Sequence, residues 1–391
     1  MPEKINKIHK MSRKRFLKLG AAGTCSLCAV LPPGKPEAAY LPSSGTAQPA
    51  VKGFTDPREG SWFETLAHSA VKCTLCPRQC RLEKDQRSFC RVRENRRGKG
   101  YTLAYANPAL IQEDPVERKP FFHVLPGTRA LSVSTAGCNL HCKFCEVWDM
   151  ALVDPEDLHA YHMPPEAVVE HARAAKLKSL SFAFGEPVVF YEYMLETARL
   201  GLKAGLLNLV HTAGYIRPEP LSELCAHVHA ANVDFKSFDQ DFYRQVVGGE
   251  LDPVLDTLRM FRKKGVHLEI TNMVIPTLND DMGMIKEMCS WIAGELGPDV
   301  PLHLARFYPL YRLSGLPRTP VSTLDRAREA ALGAGLNFVY VARVTGHEGE
   351  NTFCPDCGKI IIHRVGFIID RMHMNKNRCG YCAREIPGLW Q

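Results

Sequence analysis

Three cysteines fall within eight positions of the stretch STAGCNLHCKFCEVWDM, residues 134–150: Cys138, Cys142 and Cys145, in C-x3-C-x2-C spacing. Thiolates two and three residues apart fit one metal ion or cluster better than separated covalent staples. Two chemistries compete for this spacing. With His141 as a fourth ligand, the trio would close a tetrahedral zinc site. Without it, three thiolates on a four-iron cubane leave one iron open, because such a cluster normally takes four.

Fifteen cysteines in the chain raise the question of disulfides, and their grouping argues against them. Cys73, Cys76, Cys80 and Cys90 stand in C-x2-C-x3-C-x9-C spacing. Four thiolates complete a closed shell, so a structural zinc site is expected there, with a second iron–sulfur cluster as the alternative. Cys354 with Cys357 and Cys379 with Cys382 form two C-x2-C knuckles, the pattern of a zinc-ribbon or rubredoxin-like site holding zinc or iron. With four thiolates present, His363 and His373 are expected to be surface or packing residues. Cys225 and Cys289 are isolated, and Cys25 and Cys28 lie in an N-terminal leader.

The elements that must position these groups show from residue 130 onward. Short β-prone runs, ALSVST, SLSFAF, NLVHTA, NVDFKS, HLEITNMVI, PLHLARFYP and NFVYVARV, alternate with amphipathic stretches such as PPEAVVEHARAAK and PVLDTLRMFRKKG. That alternation predicts βα units around a parallel sheet, hence an α/β fold closing as a partial (β/α)6-type TIM barrel. Chemistry in such a barrel sits on loops at the carboxyl ends of the strands. The expected organisation is a leader at 1–40, a Pro-, Gly- and Ser-rich linker at 41–61, a four-cysteine module at 62–125, the barrel at 126–345 and a zinc-ribbon-like module at 346–391.

The net charge of +7 is concentrated at the start of the chain. Lys4, Lys7, Lys10, Arg13, Lys14, Arg15 and Lys18 against Glu3 place most of it in the first eighteen residues, and the near-neutral remainder offers no footprint for nucleic acid. The apolar run from Leu19 to Leu31 is too short to span a bilayer as a helix. Its basic flank, SRKRFLK, resembles a twin-arginine export signal, with Lys14 between the two arginines. The expectation is an exported protein, periplasmic or membrane-anchored, or a cytoplasmic one where the leader is not functional. Export of a folded, cofactor-loaded protein is compatible with a reducing cluster.

An open iron on a reducing cluster can chelate the amino and carboxylate groups of S-adenosylmethionine and pass one electron to its sulfonium. Together with Phe144 before the third cysteine, the C-x3-C-x2-C loop resembles that of the radical S-adenosylmethionine superfamily. FAFGEP, HTAGYI and DFKSFD resemble segments of its glycyl-radical activating members, although Phe184 stands where a glycine is usual and His211 where an acid is usual. From about residue 62 onward the chain is similar to the radical enzyme of the AmmeMemoRadiSam system. That likeness is carried by CTLCPRQC, EPVVFYEYML, VDFKSFDQDFYRQVVGG, TNMVIPTLND and PLHLARFYPLYRL, with Arg91 where a glycine is usual.

The resemblance implies that Cys138, Cys142 and Cys145 ligate a [4Fe-4S] cluster and that Glu186, beside Gly185, holds the amino group of S-adenosylmethionine. It implies cofactor contacts at Thr212, Gly214 and Asn272, and a catalytic role for Asp234, Lys236 and Arg306. The implied activity is reductive cleavage of S-adenosylmethionine, giving a 5′-deoxyadenosyl radical that abstracts hydrogen from an unidentified substrate, a protein being one candidate. Implied partners are a flavodoxin- or ferredoxin-type donor and Memo- and AMMECR-type proteins. A glycyl-radical activase and a non-catalytic electron carrier or metal-binding protein are the alternatives.

Overall fold

The computed structural model describes residues 49–391. The expected leader, with its resemblance to an export signal, lies outside the described residues. Among the described residues, no helix is long and apolar enough to cross a membrane.

Eight strands form the main sheet: β1 (Leu110–Pro115), β2 (Arg129–Ser134), β3 (Ser179–Phe182), β4 (Leu207–Thr212), β5 (Ala230–Asp234), β6 (His267–Val274), β7 (Leu302–Arg306) and β8 (Val339–Ala342). Each lies beside its neighbour in sequence. β2 to β8 are parallel and match the seven runs read from the sequence. Among the described residues no pairing joins β8 to β1, so the sheet is an open, partial barrel. Helices cover the parallel strands, which is why β3 is buried at all four positions instead of at every second one.

The covering helices are α1 (Pro165–Ala174), α2 (Tyr191–Lys203), α3 (Pro218–Cys225), α4 (Asp252–Lys263), α5 (Met282–Trp291) and α6 (Val321–Gly333). In α4, Val254, Leu255, Leu258 and Phe261 recur at helical spacing and form the buried stripe. Asp252 in its first turn and Arg262 with Lys263 in its last complement the helix dipole. The Asp281 side chain accepts from Met284 N at 2.9 Å and starts α5.

Two expected boundaries move. Residues 110–115, assigned to the cysteine module, form β1, which pairs antiparallel with β2. Its sequence, LIQEDP, hides this because it is an edge strand, where proline and unpaired polar residues are tolerated. The linker also contributes structure, with Val51–Lys52 pairing with His159–Ala160 and Arg58–Glu59 with Tyr101–Thr102.

After β1 the chain crosses the amino ends of the strands, where Val116, Phe121, Val124 and Leu125 pack on Ala130, Leu209 and Ala230. Glu269 on β6 anchors this floor with no exposure to solvent. It accepts from Phe122 N at 3.0 Å, His123 N at 2.9 Å and His303 Nε2 at 2.6 Å, with His267 Nε2 at 3.3 Å. Burial alone would raise its carboxyl, but the contacts from His267 and His303 reverse this and hold it well below its ordinary range. Burial holds His123 down at about 3, so its ring is neutral. Its Nδ1 lies 2.7 Å from Pro387 O, a carbonyl that can only accept, so the proton sits on Nδ1 and Nε2 accepts from Tyr340. Arg364 extends the network by donating to Thr352 Oγ1 at 2.7 Å and to Phe122 O at 2.8 Å, tying the C-terminal module to the floor.

Removing one partner of a buried ionic network typically costs about 3 kcal/mol or more, and Glu269→Gln is expected to lower the melting midpoint at pH 7 accordingly. A carboxylate held low in the fold stabilises it above its unfolded value of about 4.3, and this stability is lost as pH falls toward the folded value. Melting curves between neutral and acid pH should therefore show a steeper acid loss in the native protein than in Glu269→Gln.

Candidate active site at the carboxyl rim

Strand register brings the carboxyl ends of β2 to β5 to one rim, with Val133 beside Phe182, Phe182 beside Val210, and Thr212 beside Val233. The cysteine loop leaves β2 through Gly137 (φ 97°), where a Cβ would lie 2.7 Å from Cys90 O. Only glycine permits both that backbone and that approach. Cys138, Cys142 and Cys145 follow, all partly buried, with Leu140 N 3.4 Å from Cys138 Sγ. Burial raises all three thiols, Cys142 to about 12, so they become thiolates when a metal replaces the proton.

His141 is engaged in an aromatic stack. Its ring stacks on Phe89 at 4.1 Å, and the Arg78 guanidinium lies over the same Phe89 ring at 3.4 Å. Among the described residues, no three ligand atoms from Cys138, His141, Cys142 and Cys145 gather within 4.8 Å of one another. Three spread thiolates without a fourth are the donor set a site-differentiated [4Fe-4S] cluster requires.

Asp234 ends β5 and joins the expected Lys236 to His211. Its Oδ2 accepts from Lys236 Nζ at 2.6 Å, and its Oδ1 lies 2.9 Å from His211 Nε2 on β4. Burial opposes the Asp234 charge, but Lys236 and His211 more than offset it and hold the carboxyl below its ordinary range. Lys236 is likewise raised despite burial, by Asp234 and then Cys142. The Lys236 ammonium is the positive charge that pulls Cys142 and Cys145 downward, and it lies 5.7 Å from the centroid of the Phe144 ring.

Glu186, the residue expected to take the cofactor's amino group, is tied to the turns beside it. Glu186 is 4% exposed. Its Oε1 accepts from Thr212 Oγ1 at 2.6 Å and Val188 N at 3.1 Å, and its Oε2 accepts from Ala213 N at 2.8 Å. Thr212 Oγ1 in turn accepts from Gly214 N at 3.0 Å, and Thr257 on α4 donates to Gly214 O at 2.7 Å. Gly214 has φ 71°, and its bond to the Thr212 hydroxyl shapes the turn. One turn earlier, Phe184 holds φ 71° where the resemblance implies glycine, with Lys119 Nζ 4.2 Å from its ring centroid. Arg91 repeats this departure at φ 72°.

Asn272 is buried, and its Nδ2 donates to Phe235 O at 2.7 Å and Lys236 O at 3.2 Å. It clamps the backbone under the Asp234–Lys236 pair, and its Oδ1 has no partner. Asn279 shares the task by donating to Lys236 O at 2.8 Å and Met273 O at 2.9 Å. Sequence reasoning missed Asn279; its signal was the polar NDD run just before α5. Arg306, half-buried at the end of β7, donates from Nε to Thr319 O at 2.8 Å, just ahead of α6.

The C-terminal quartet gathers as expected. Cys354, Cys357, Cys379 and Cys382 lie within 4.8 Å of one another, with sulfur pairs at 3.5 and 3.8 Å, close to the edge of a tetrahedron around one ion. His363 pairs with Asp370 at 3.1 Å and the His373 ring packs 5.2 Å from that of Tyr381, so neither joins the thiols. Cys73, Cys76, Cys80 and Cys90 line one cavity with Arg78, Ser88, Arg93 and Asn139.

Gly185 N donates to Ser134 Oγ at 2.9 Å, and a Cβ at Gly185 would meet that oxygen at 2.5 Å. Gly185→Ala should cost about 1–3 kcal/mol by overpacking. Removing the hydroxyl with Ser134→Ala in the same chain should return part of that loss. A double-mutant cycle on melting midpoints reads the coupling, and strictly additive effects would contradict the contact.

A family model described as the radical SAM superfamily matches residues 132–289. An uncharacterised protein of Methanocaldococcus jannaschii is 38% identical over 331 residues, covering 84% of this chain and 98% of its own length. A pyruvate formate-lyase-activating enzyme of Clostridium pasteurianum is 25% identical over 173 residues, covering 43% of this chain and 70% of its own. Among solved structures, a radical SAM methyltransferase from Sphaerobacter thermophilus aligns over 56% of this chain and 70% of its own, at 18% identity and a TM-score of 0.43. The matched segment opens inside β2 and closes in α5, taking in the cysteine loop and the Glu186, Thr212 and Asp234 turns, and the chain belongs to the radical SAM superfamily.

Proposed function

We propose that this enzyme cleaves S-adenosylmethionine reductively and uses the resulting 5′-deoxyadenosyl radical to abstract hydrogen from a substrate. The observation that carries the reading is the meeting of a three-thiolate loop with the Lys236–Asp234–His211 array at one barrel rim. A cluster held by Cys138, Cys142 and Cys145 would supply an open iron for the cofactor's amino and carboxylate groups and one electron for its sulfonium. Lys236 places a fixed positive charge beside Cys142 and Cys145, opposing the negative charge that thiolates and sulfides accumulate. Asp234 and His211 hold that ammonium, and Asn272 and Asn279 hold the backbone beneath it. Glu186 aligns the β3 and β4 turns along which the cofactor would lie. Arg306 at the end of β7 is available to an anionic part of substrate or cofactor.

A low-potential donor of flavodoxin or ferredoxin type completes the electron supply, and Memo- and AMMECR-type proteins are partners in keeping with the resemblance. The Clostridium relative's name supports a second reading, activation of a glycyl-radical enzyme. It would require a partner protein with a glycine loop.

The protein, reconstituted anaerobically with iron and sulfide and given S-adenosylmethionine with dithionite, is expected to form 5′-deoxyadenosine and methionine, while Cys142→Ala stays at background. No product from a protein shown to hold an intact cubane would shift the reading to an electron carrier. The leader supports a further proposal, export by the twin-arginine route. A reporter fused to residues 1–60 is expected to cross the membrane, and a reporter confined to the cytoplasm would end that proposal.

A further inference from the structure

The two four-cysteine groups differ in a way their spacing does not show. Four thiolates bound to one ion at about 2.3 Å stand roughly 3.8 Å apart. Four thiolates on the iron corners of a cubane spread to roughly 6 Å, because the cluster itself fills the space between them. Among the described residues, the C-terminal quartet is the one group of three or more such ligands whose atoms all lie within 4.8 Å of one another. The core trio, which belongs to a cubane in this superfamily, is wider. So is the quartet of Cys73, Cys76, Cys80 and Cys90, although all four of its residues line one cavity.

The walls of that cavity fit a redox cluster. Arg93 is 1% exposed, lines the cavity and is held through Nη1 by Glu192 at 2.9 and 3.0 Å, while its buried Nε has no hydrogen-bond acceptor. Ser88 Oγ lies 3.1 Å from Cys90 Sγ. Donors aimed at cluster sulfur are a main means by which a protein sets a cluster's potential. The cavity also borders the active-site loops. Asn139, next to Cys138, forms part of its wall, together with Val188 and Val189, which follow Glu186. Arg78 Nε donates to Asn139 O at 2.6 Å, Arg217 N donates to Leu75 O at 3.1 Å, and Gly137 abuts the Cys90 carbonyl.

We infer that Cys73, Cys76, Cys80 and Cys90 hold a second [4Fe-4S] cluster, a one-electron centre directly behind the Cys138 loop, and not a structural zinc ion. The metal assignment stands on the quartet's own geometry, whereas use of this centre as the entry point for the electron rests on the proposed core chemistry.

Iron, zinc and acid-labile sulfide in the full-length protein purified anaerobically, with Mössbauer and electron paramagnetic resonance spectra, test the assignment. The native protein should contain about eight cluster irons and eight sulfides, besides the single metal of the C-terminal quartet. The triple variant Cys138→Ser/Cys142→Ser/Cys145→Ser should retain about four of each, in a cubane whose reduced signal does not respond to S-adenosylmethionine. Cys76→Ser/Cys80→Ser should lose that cubane and keep the responsive one. Two zinc ions per chain, with no labile sulfide left in the triple variant, would overturn the inference. Should the variants fail to fold, about four irons and two zincs in the native protein would overturn it equally. A native protein with two cubanes, neither responding to S-adenosylmethionine, would leave this inference standing and remove the core reading instead.

Discussion

A carboxylate taken out of water must find hydrogen-bond donors, and in this fold Glu186 finds them on the turns beside it. Its donors are Thr212 Oγ, Ala213 N and Val188 N, so one residue at the end of β3 sets the course of the chain leaving β4. Thr212 passes the constraint to Gly214 and Thr257 passes it on to α4. On the other side, Gly185 meets Ser134 at the end of β2, from which the cysteine loop departs. The cluster loop, the β3 turn and the β4 turn are therefore positioned as one unit, with the Asp234–Lys236 pair beside them.

The opposite end of the barrel follows the same logic with different partners. Glu269 gathers the amides of Phe122 and His123 together with His303, and His123 hands the network to Tyr340, Thr352 and Arg364. The sheet leaves β1 and β8 unpaired with each other, so this floor supplies the closure that strand pairing omits. The C-terminal module shares a core with Phe122, Phe338 and Tyr340, which makes it part of the barrel's base instead of an appended domain.

Much of this was legible in the residues. Strands buried on both faces read as β-rich apolar runs, and the cysteine spacings identified three separate sites. What escaped was set by tertiary context. β1 is an edge strand with three polar positions and a terminal proline, so its pattern carried little signal. The motif marked Glu186 but not the Thr212, Ala213 and Val188 donors that surround it. Asn272 and Asn279 do their work on backbone carbonyls that no side-chain pattern reveals. Phe184 and Arg91, which looked like departures from a glycine pattern, keep the left-handed backbone that glycine would supply, at a cost of roughly 1–2 kcal/mol each.

The hydrogen bond between His123 and Pro387 closes a separation of 264 residues. Contacts so distant in sequence carry a large loop-closure entropy and form only once the intervening chain has collapsed. Residues 134–237, which contain the cluster loop and the turns it leans on, are joined by much shorter separations and can assemble around their strands first. The base is therefore the part of the barrel whose closure depends most directly on the far end of the chain.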